Sequence, residues 1–263
     1  MENIQAKSFY LITCVGMSLS ERQEYNPHIQ AERGFHCVVE DCCLLNEHIH
    51  LSFSYLIKAG DHNLSVNETL QQEIVPEKIF VHPRFKPNRL PFYDGDIALV
   101  KVSQEMELNK FVRTVCLPEK DERDLAIPKT RGTVTGWGVT RPLRHDEYTH
   151  LSEISKVLRH ASFPIQGEQL CANKSGIQFN ITTAFCAGDG RGGKDACLGD
   201  SGGAFVRDVS SSLSYSKWVV IGVVSWGNGC AQKDQYGYYT RIYPFLDWIR
   251  ETMNGKKEPA NSE

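Results

Sequence analysis

A serine set among glycines and preceded by an acid, Gly199-Asp200-Ser201-Gly202-Gly203, is the part of this chain best suited to chemistry. A serine hydroxyl is a poor nucleophile until a neighbouring base takes its proton. The surrounding glycines let the backbone turn tightly and aim N–H groups at an oxygen that gains negative charge, and Gly199 and Ser201 would supply them. The same letters are also good turn chemistry by composition alone. They satisfy a G-x-S-x-G nucleophile elbow as well, which needs a hydrophobic strand before the serine and a helix after it. Here Gly190-Arg191-Gly192-Gly193-Lys194 precedes the motif and a strand-like run follows. The elbow fails on context.

The elements that must position this serine read as β. Short strand-like runs are Leu51–Ile57, Glu73–Val81, Asp96–Val102, Arg131–Gly136, Ser155–Leu158, Lys217–Ser225 and Gly237–Ile242, with Gly, Pro, Asn and Asp at the turns. Regular spacing without intervening helices predicts a sandwich or barrel. One helix is expected, at the C-terminus, where Pro244 suits a first turn and Phe245, Trp248, Ile249 and Met253 recur at helical spacing. Cys116–Lys129, with two prolines and seven charged residues, reads as a linker between halves. At 263 residues and 41% hydrophobic, the chain is long enough to bury a substantial core.

Compartment and partners follow from composition. Net charge is −3 with no long basic run, so neither nucleic acid nor an anionic membrane is expected as partner. The nine cysteines fall at 14, 37, 42, 43, 116, 171, 186, 197 and 230, outside the paired spacing of a zinc site, and no metal is expected. Sequons begin at Asn63, Asn67, Asn173 and Asn180. Four of them beside many cysteines favour an extracellular, oxidised glycoprotein. Phe9 to Met17 followed by Ser18-Leu19-Ser20 reads either as a signal peptide, weakened by Glu2, or as an N-terminal strand.

Further residues give the serine its setting. Asp195 and Cys197 precede it, and Ser225-Trp226-Gly227 with Cys230 follow. Asp96-Ile97-Ala98-Leu99-Val100, Cys116-Leu117-Pro118 and Gly136-Trp137-Gly138 lie upstream. Together they resemble the trypsin/chymotrypsin family of serine endopeptidases over roughly residues 56–254, with Trp226–Tyr239 most similar to coagulation-factor proteases. The resemblance implies an all-β fold of two packed antiparallel β-barrels with a C-terminal helix, the first barrel incomplete. It implies Ser201 as nucleophile and Asp96 as the acid that orients a histidine. Gly199 and Ser201 then form the oxyanion hole, and Asp200 is the partner of an activating N-terminal ammonium. Asp195 would pair with a substrate arginine or lysine, between walls at Ser225, Trp226, Gly227 and Gly237. Implied disulfides are Cys171–Cys186 and Cys197–Cys230, while Cys116 stands where relatives bond an upstream chain or domain. Tyr236 matches a position that permits a sodium ion; no other cofactor is implied.

The departures are as informative. The family carries its base in Thr-Ala-Ala-His-Cys, which this chain lacks. Counting forward from Leu44-Leu45-Asn46-Glu47 places the histidine at Tyr55, and counting back from Ala59-Gly60-Asp61-His62 places it near His48 or His50. The two counts disagree by about the length of that motif, so a deletion accounts for both. His48 and His50 are weak candidates for the base, and His36 and His62 have no better claim. No Ile-Val-Gly-Gly activation terminus occurs in residues 1–54.

The expected organisation is a divergent segment at 1–33, a protease domain at 34–254 and a polar tail at 255–263. Within the domain a first barrel runs to about 115, a linker over 116–130, a second barrel over 131–242 and a helix over 244–254. Three functions are open. The chain is a secreted endopeptidase cleaving after Arg or Lys, impaired by the missing histidine motif; a pseudoprotease that binds partners through the Asp195 pocket; or an incomplete isoform of a larger protease.

Overall fold

The computed structural model describes residues 9–12, 28–31, 56–85, 93–119, 125–142, 154–178, 180–210 and 217–255. Twelve strands and two α-helices are found there. In chain order the strands are β1 Phe9–Ile12, β2 His28–Ala31, β3 Leu56–Ala59, β4 Gln72–Ile74, β5 Pro76–Val81 and β6 Ala98–Val102, followed by β7 Arg131–Gly136, β8 Arg159–Pro164, β9 Ala184–Ala187, β10 Ala204–Asp208, β11 Trp218–Gly227 and β12 Gly237–Arg241. Helix α1 is Glu168–Lys174 and α2 is Leu246–Met253, the latter entered through a 3₁₀ turn at Tyr243–Phe245.

The first unit pairs two small sheets, ordered β1-β6-β5 and β2-β3-β4. Alternating burial makes them share one core: Ile57 and Ala59 of β3 and Ile74 of β4 meet Ala98, Val100 and Val102 of β6. The second unit is a single curled sheet ordered β8-β7-β10-β11-β12-β9. Its ten-residue central strand β11 is buried at seven consecutive positions, 219–225, because it has neighbours on both faces. Phe185, Phe205 and Tyr239 fill that interior, with ring centroids 4.6–5.3 Å apart.

A third core joins the units. Ile97 and Leu99 of the first pack with Ala204, Val220 and Val223 of the second, and α2 closes over them with Phe245, Leu246 and Ile249. The fold is all-β with two sheet units and a C-terminal helix, as the resemblance implies.

Three details differ from the sequence reading. One pairing is parallel: β2 lies beside β3 with His28 opposite Leu56. The long connection between them permits this, whereas a tight hairpin would not. The strand expected at Ser155–Leu158 begins later, at Arg159, because residues 154–158 spend their backbone on isolated bridges to Val139 and Asn63. Helix α1 was not expected. Seven residues with only Cys171 buried offer too little periodicity to be read. The run read as leader or opening strand contains β1, antiparallel to β6 with Ile12 opposite Ala98.

Candidate active site

The loop carrying Ser201 is held by its own acid. Both Asp200 oxygens accept main-chain N–H groups, Oδ1 from Gly138 and Oδ2 from Cys197, each at 2.9 Å. The Asp200 N–H donates back to the Cys197 carbonyl at 2.9 Å, closing a tight turn over residues 197–200. That turn needs a residue at positive φ, and Gly199 supplies it at 90°. Glycines also make room for the acid: a Cβ on Gly136 would stand 1.9 Å from Asp200 Oδ1, and one on Gly138 2.5 Å from the carboxylate. The carboxylate is buried, and burial pushes it up to about 6 against the pull of its two N–H donors. Among the described residues no cation pairs with it. The N–H groups of Gly199 and Ser201 and the Ser201 hydroxyl make no hydrogen bond to protein among the described residues.

A β-bulge connects this loop to Asp96. The Gly202 N–H donates to the Val224 carbonyl at 3.0 Å, which fixes the serine loop beside β11. In β11, Val224 faces Tyr239 and Trp226 faces Tyr238, so Ser225 is the extra residue between them. Bulges re-aim side chains. The Ser225 hydroxyl, read from sequence as pocket wall, is aimed at Asp96 and donates to its Oδ2. Thr240 of β12 donates its hydroxyl to the Asp96 main-chain carbonyl at 2.8 Å. Asp96 belongs to the first unit and is wholly buried, yet both of these partners belong to the second. An acid in this position can hold and charge an imidazole.

Cys197 is bonded to Cys230, which ties the serine loop to the segment after β11. Cys171–Cys186 ties α1 to β9. Asp195, expected at the base of the pocket, has one oxygen accepting the Ala231 N–H at 3.1 Å. It is only partly exposed, and burial pushes its carboxyl up to about 7. Asp200 adds to the rise, and the Ala231 and Ala196 N–H groups oppose it. Gly237 borders the acid closely enough that a Cβ there would lie 3.0 Å from Asp195 Oδ1 and 2.9 Å from the Tyr239 hydroxyl. A Cβ on Gly227 would meet nothing nearer than the Gly229 carbonyl at 3.3 Å. Trp226 lies flat on Tyr238 with centroids 3.7 Å apart, and Tyr93 stacks on Trp226 at 5.6 Å. Tyr236 packs its ring against Gly188 and Gly190. No cluster of His, Cys, Asp or Glu among the described residues is arranged to hold a metal ion. Cys116 is free and exposed.

The sequence reading did not single out Tyr93, Asp94, Tyr239 or Thr240. Two of these immediately precede the Gly95-Asp96 pair, where proximity in sequence to a candidate acid was the available signal, and the other two follow Gly237 and Tyr238 on β12. The weak base candidates His48 and His50, together with His36 and Tyr55, lie outside the described residues. His62 is exposed, and its carbonyl accepts Trp137 Nε1 at 3.3 Å. His82 is a packing residue. Its ring lies edge-on to Phe245 at 4.7 Å and to Trp248 at 4.8 Å, and burial pushes its imidazole down to about 4.

Residues 34–249 match the trypsin family. The chain is 34% identical over 216 residues to the mannan-binding lectin serine protease 1 of Rattus norvegicus, a match covering 80% of this chain and 28% of that protein. It therefore spans less than a third of that relative's length. It is 37% identical over 199 residues to Trypsin-3 of Salmo salar, covering 75% of this chain and 73% of that protein. With the trypsin of Sus scrofa the identity is 36% over 198 residues, 75% of each chain. On this match and on relatives covered over most of their length, the chain belongs to the trypsin/chymotrypsin family of serine proteases.

Proposed function

We propose that this chain is a secreted trypsin-like endopeptidase domain that selects protein or peptide substrates with arginine or lysine and cleaves after it. The observation that carries the reading is the setting of Asp195, which lies against Gly237 and accepts the Ala231 N–H next to the Cys197–Cys230 bond; the reading makes it the base of the substrate pocket. A long cationic side chain fits such a pocket, since a neutral or acidic one would leave the carboxylate without a partner. In the reaction the Ser201 oxygen adds to the scissile carbonyl carbon, and its proton passes to a base. The Gly199 and Ser201 N–H groups bind the oxyanion. Collapse breaks the C–N bond as that base returns its proton to the leaving nitrogen, and water, deprotonated by the same base, then releases the acid from Ser201.

Turnover is impaired in this reading, because the Thr-Ala-Ala-His-Cys motif is missing from the sequence. Losing the histidine of such a triad costs on the order of a million-fold. Binding through Asp195 needs no base, which favours a second reading as a binding module for cationic side chains. No helix among the described residues is long and apolar enough to cross a membrane. Secretion is supported by the sequons and the two disulfides.

Two measurements test this. Titration calorimetry with benzamidine should give binding that Asp195→Ala abolishes; equal heats from both proteins sink the pocket reading. An arginyl chromogenic substrate should be hydrolysed feebly, at a rate that Ser201→Ala lowers further. Robust Ser201-dependent turnover lost in His48→Ala or His50→Ala would instead make a displaced histidine the base.

A further inference from the structure

We infer that Asp94 is a positioning residue: it clamps the turn that carries Asp96 onto the second unit and so holds Tyr93 against Trp226 as a wall of the cleft. The ligand arm of its test rests on the cleft reading above.

The turn is strained. Tyr93 and Gly95 both sit at positive φ, 59° and 69°, and the first is a strained conformation for a bulky side chain. The Asp96 N–H reaches the Tyr93 carbonyl at 3.2 Å, and a Cβ on Gly95 would stand 2.9 Å from Arg84 Cβ. Such a conformation persists only where surrounding contacts over-determine it.

Asp94 supplies those contacts from both units. Its Oδ2 accepts Arg84 Nη2 at 2.8 Å, within the first unit. Its Oδ1 accepts Asn180 Nδ2 at 3.2 Å and the Thr183 hydroxyl at 2.6 Å, both from the turn that leads into β9 of the second. That turn is preformed: Asn180 Oδ1 accepts the Thr182 N–H at 3.1 Å and its hydroxyl at 2.8 Å, and the Thr183 N–H donates to the Asn180 carbonyl at 3.2 Å. Asp94 is only 15% exposed, whereas Arg84 is 49% exposed. Half-exposed ion pairs contribute little, so the bonds to Asn180 and Thr183 dominate. Two residues on, Ser225 and Thr240 bind Asp96 to the same unit. The turn is pinned to the second unit at both ends, and Tyr93 is carried on it over Trp226.

The test uses the full chain and two ligands. Benzamidine reaches only the Asp195 pocket; a non-cleavable tripeptide ending in arginine also runs along Tyr93 and Trp226. Asp94→Ala should weaken the tripeptide by about tenfold, one charged hydrogen bond's worth, and leave benzamidine within about twofold. Asp94→Asn keeps an acceptor for Thr183 and should restore most of the tripeptide affinity, and Arg84→Ala should change it little. Unchanged tripeptide binding in Asp94→Ala, or equal loss of both ligands, overturns the clamp. If the native chain binds no benzamidine, the pocket reading fails by itself, and a second measurement decides the clamp. Asp94→Ala and Thr183→Val, combined, should lower the unfolding midpoint by less than the sum of their separate effects. Strict additivity overturns it.

Discussion

Ser225 and Asp96, 129 residues apart in sequence, are joined by a buried hydrogen bond in which the serine hydroxyl donates to the carboxylate. The bond exists because β11 bulges at Ser225, and it crosses from the second unit to the first. Ser225→Ala should remove a donor from a buried acid and destabilise by about 1–3 kcal/mol. The loss should appear as a lower denaturant midpoint with an unchanged slope. An unaltered midpoint would mean that the bond contributes nothing to holding the units together.

Gly237 lies directly against Asp195. Gly237→Ala would place a methyl 2.9 Å from the Tyr239 hydroxyl and 3.0 Å from Asp195 Oδ1, so these side chains must shift to admit it. Benzamidine affinity should fall by at least about tenfold while the fold is kept. Gly227→Ala, with more space around it, should cost less; the reverse order of affinities would contradict the wall assignment.

Protons compete with cationic ligands for Asp195. Its carboxyl is pushed up to about 7, so benzamidine should bind tightly above pH 7 and about tenfold more weakly for each unit below it. Stability runs the other way. Asp195 and Asp200 both titrate higher folded than their ordinary 3.8, so they stabilise most below pH 4. That contribution is lost as pH rises through about 6 and 7, on the order of 2–3 kcal/mol for Asp200. His82, held near 4 against 6.5, opposes this between those values by favouring the fold as pH rises. Unfolding titrations of the Ser201→Ala chain from pH 4 to 9 would show the sum, and an imidazole NMR titration with a midpoint near 4 would isolate His82.

The sequons should not be used equally. Asn67 and Asn173 are exposed and should carry glycans when the chain passes through a secretory cell. Asn180 points its amide at Asp94 and should be unoccupied. Enzymatic deglycosylation in heavy-oxygen water followed by peptide mapping would mark the used sites, and a marked Asn180 would contradict its place in the structure.

Local chemistry was legible in the sequence because it resides in contiguous letters. Gly199-Asp200-Ser201-Gly202-Gly203 is a tight turn whichever fold surrounds it, since Gly199 must reach positive φ and Ser201 stands at its end. The near-continuous apolar run of β6 and the helical spacing of α2 were likewise readable, the first because the strand is buried on both faces and the second because the helix buries one face with a fixed period. Helix α1 was not, being too short to show a period.

Long-range geometry was decided only by the tertiary structure. Nothing in Ser225-Trp226-Gly227 says that the strand bulges there, yet the bulge is what turns a residue read as pocket wall toward Asp96. Asp94 likewise reads as one more loop acid until folding brings Asn180 and Thr183 to it. A turn or a periodic face is set by neighbours within a few residues, so its letters are enough. A hydrogen bond between units depends on where two sheets come to rest against each other, and that position is fixed by the shared packing of Ile97, Val220, Val223 and Phe245.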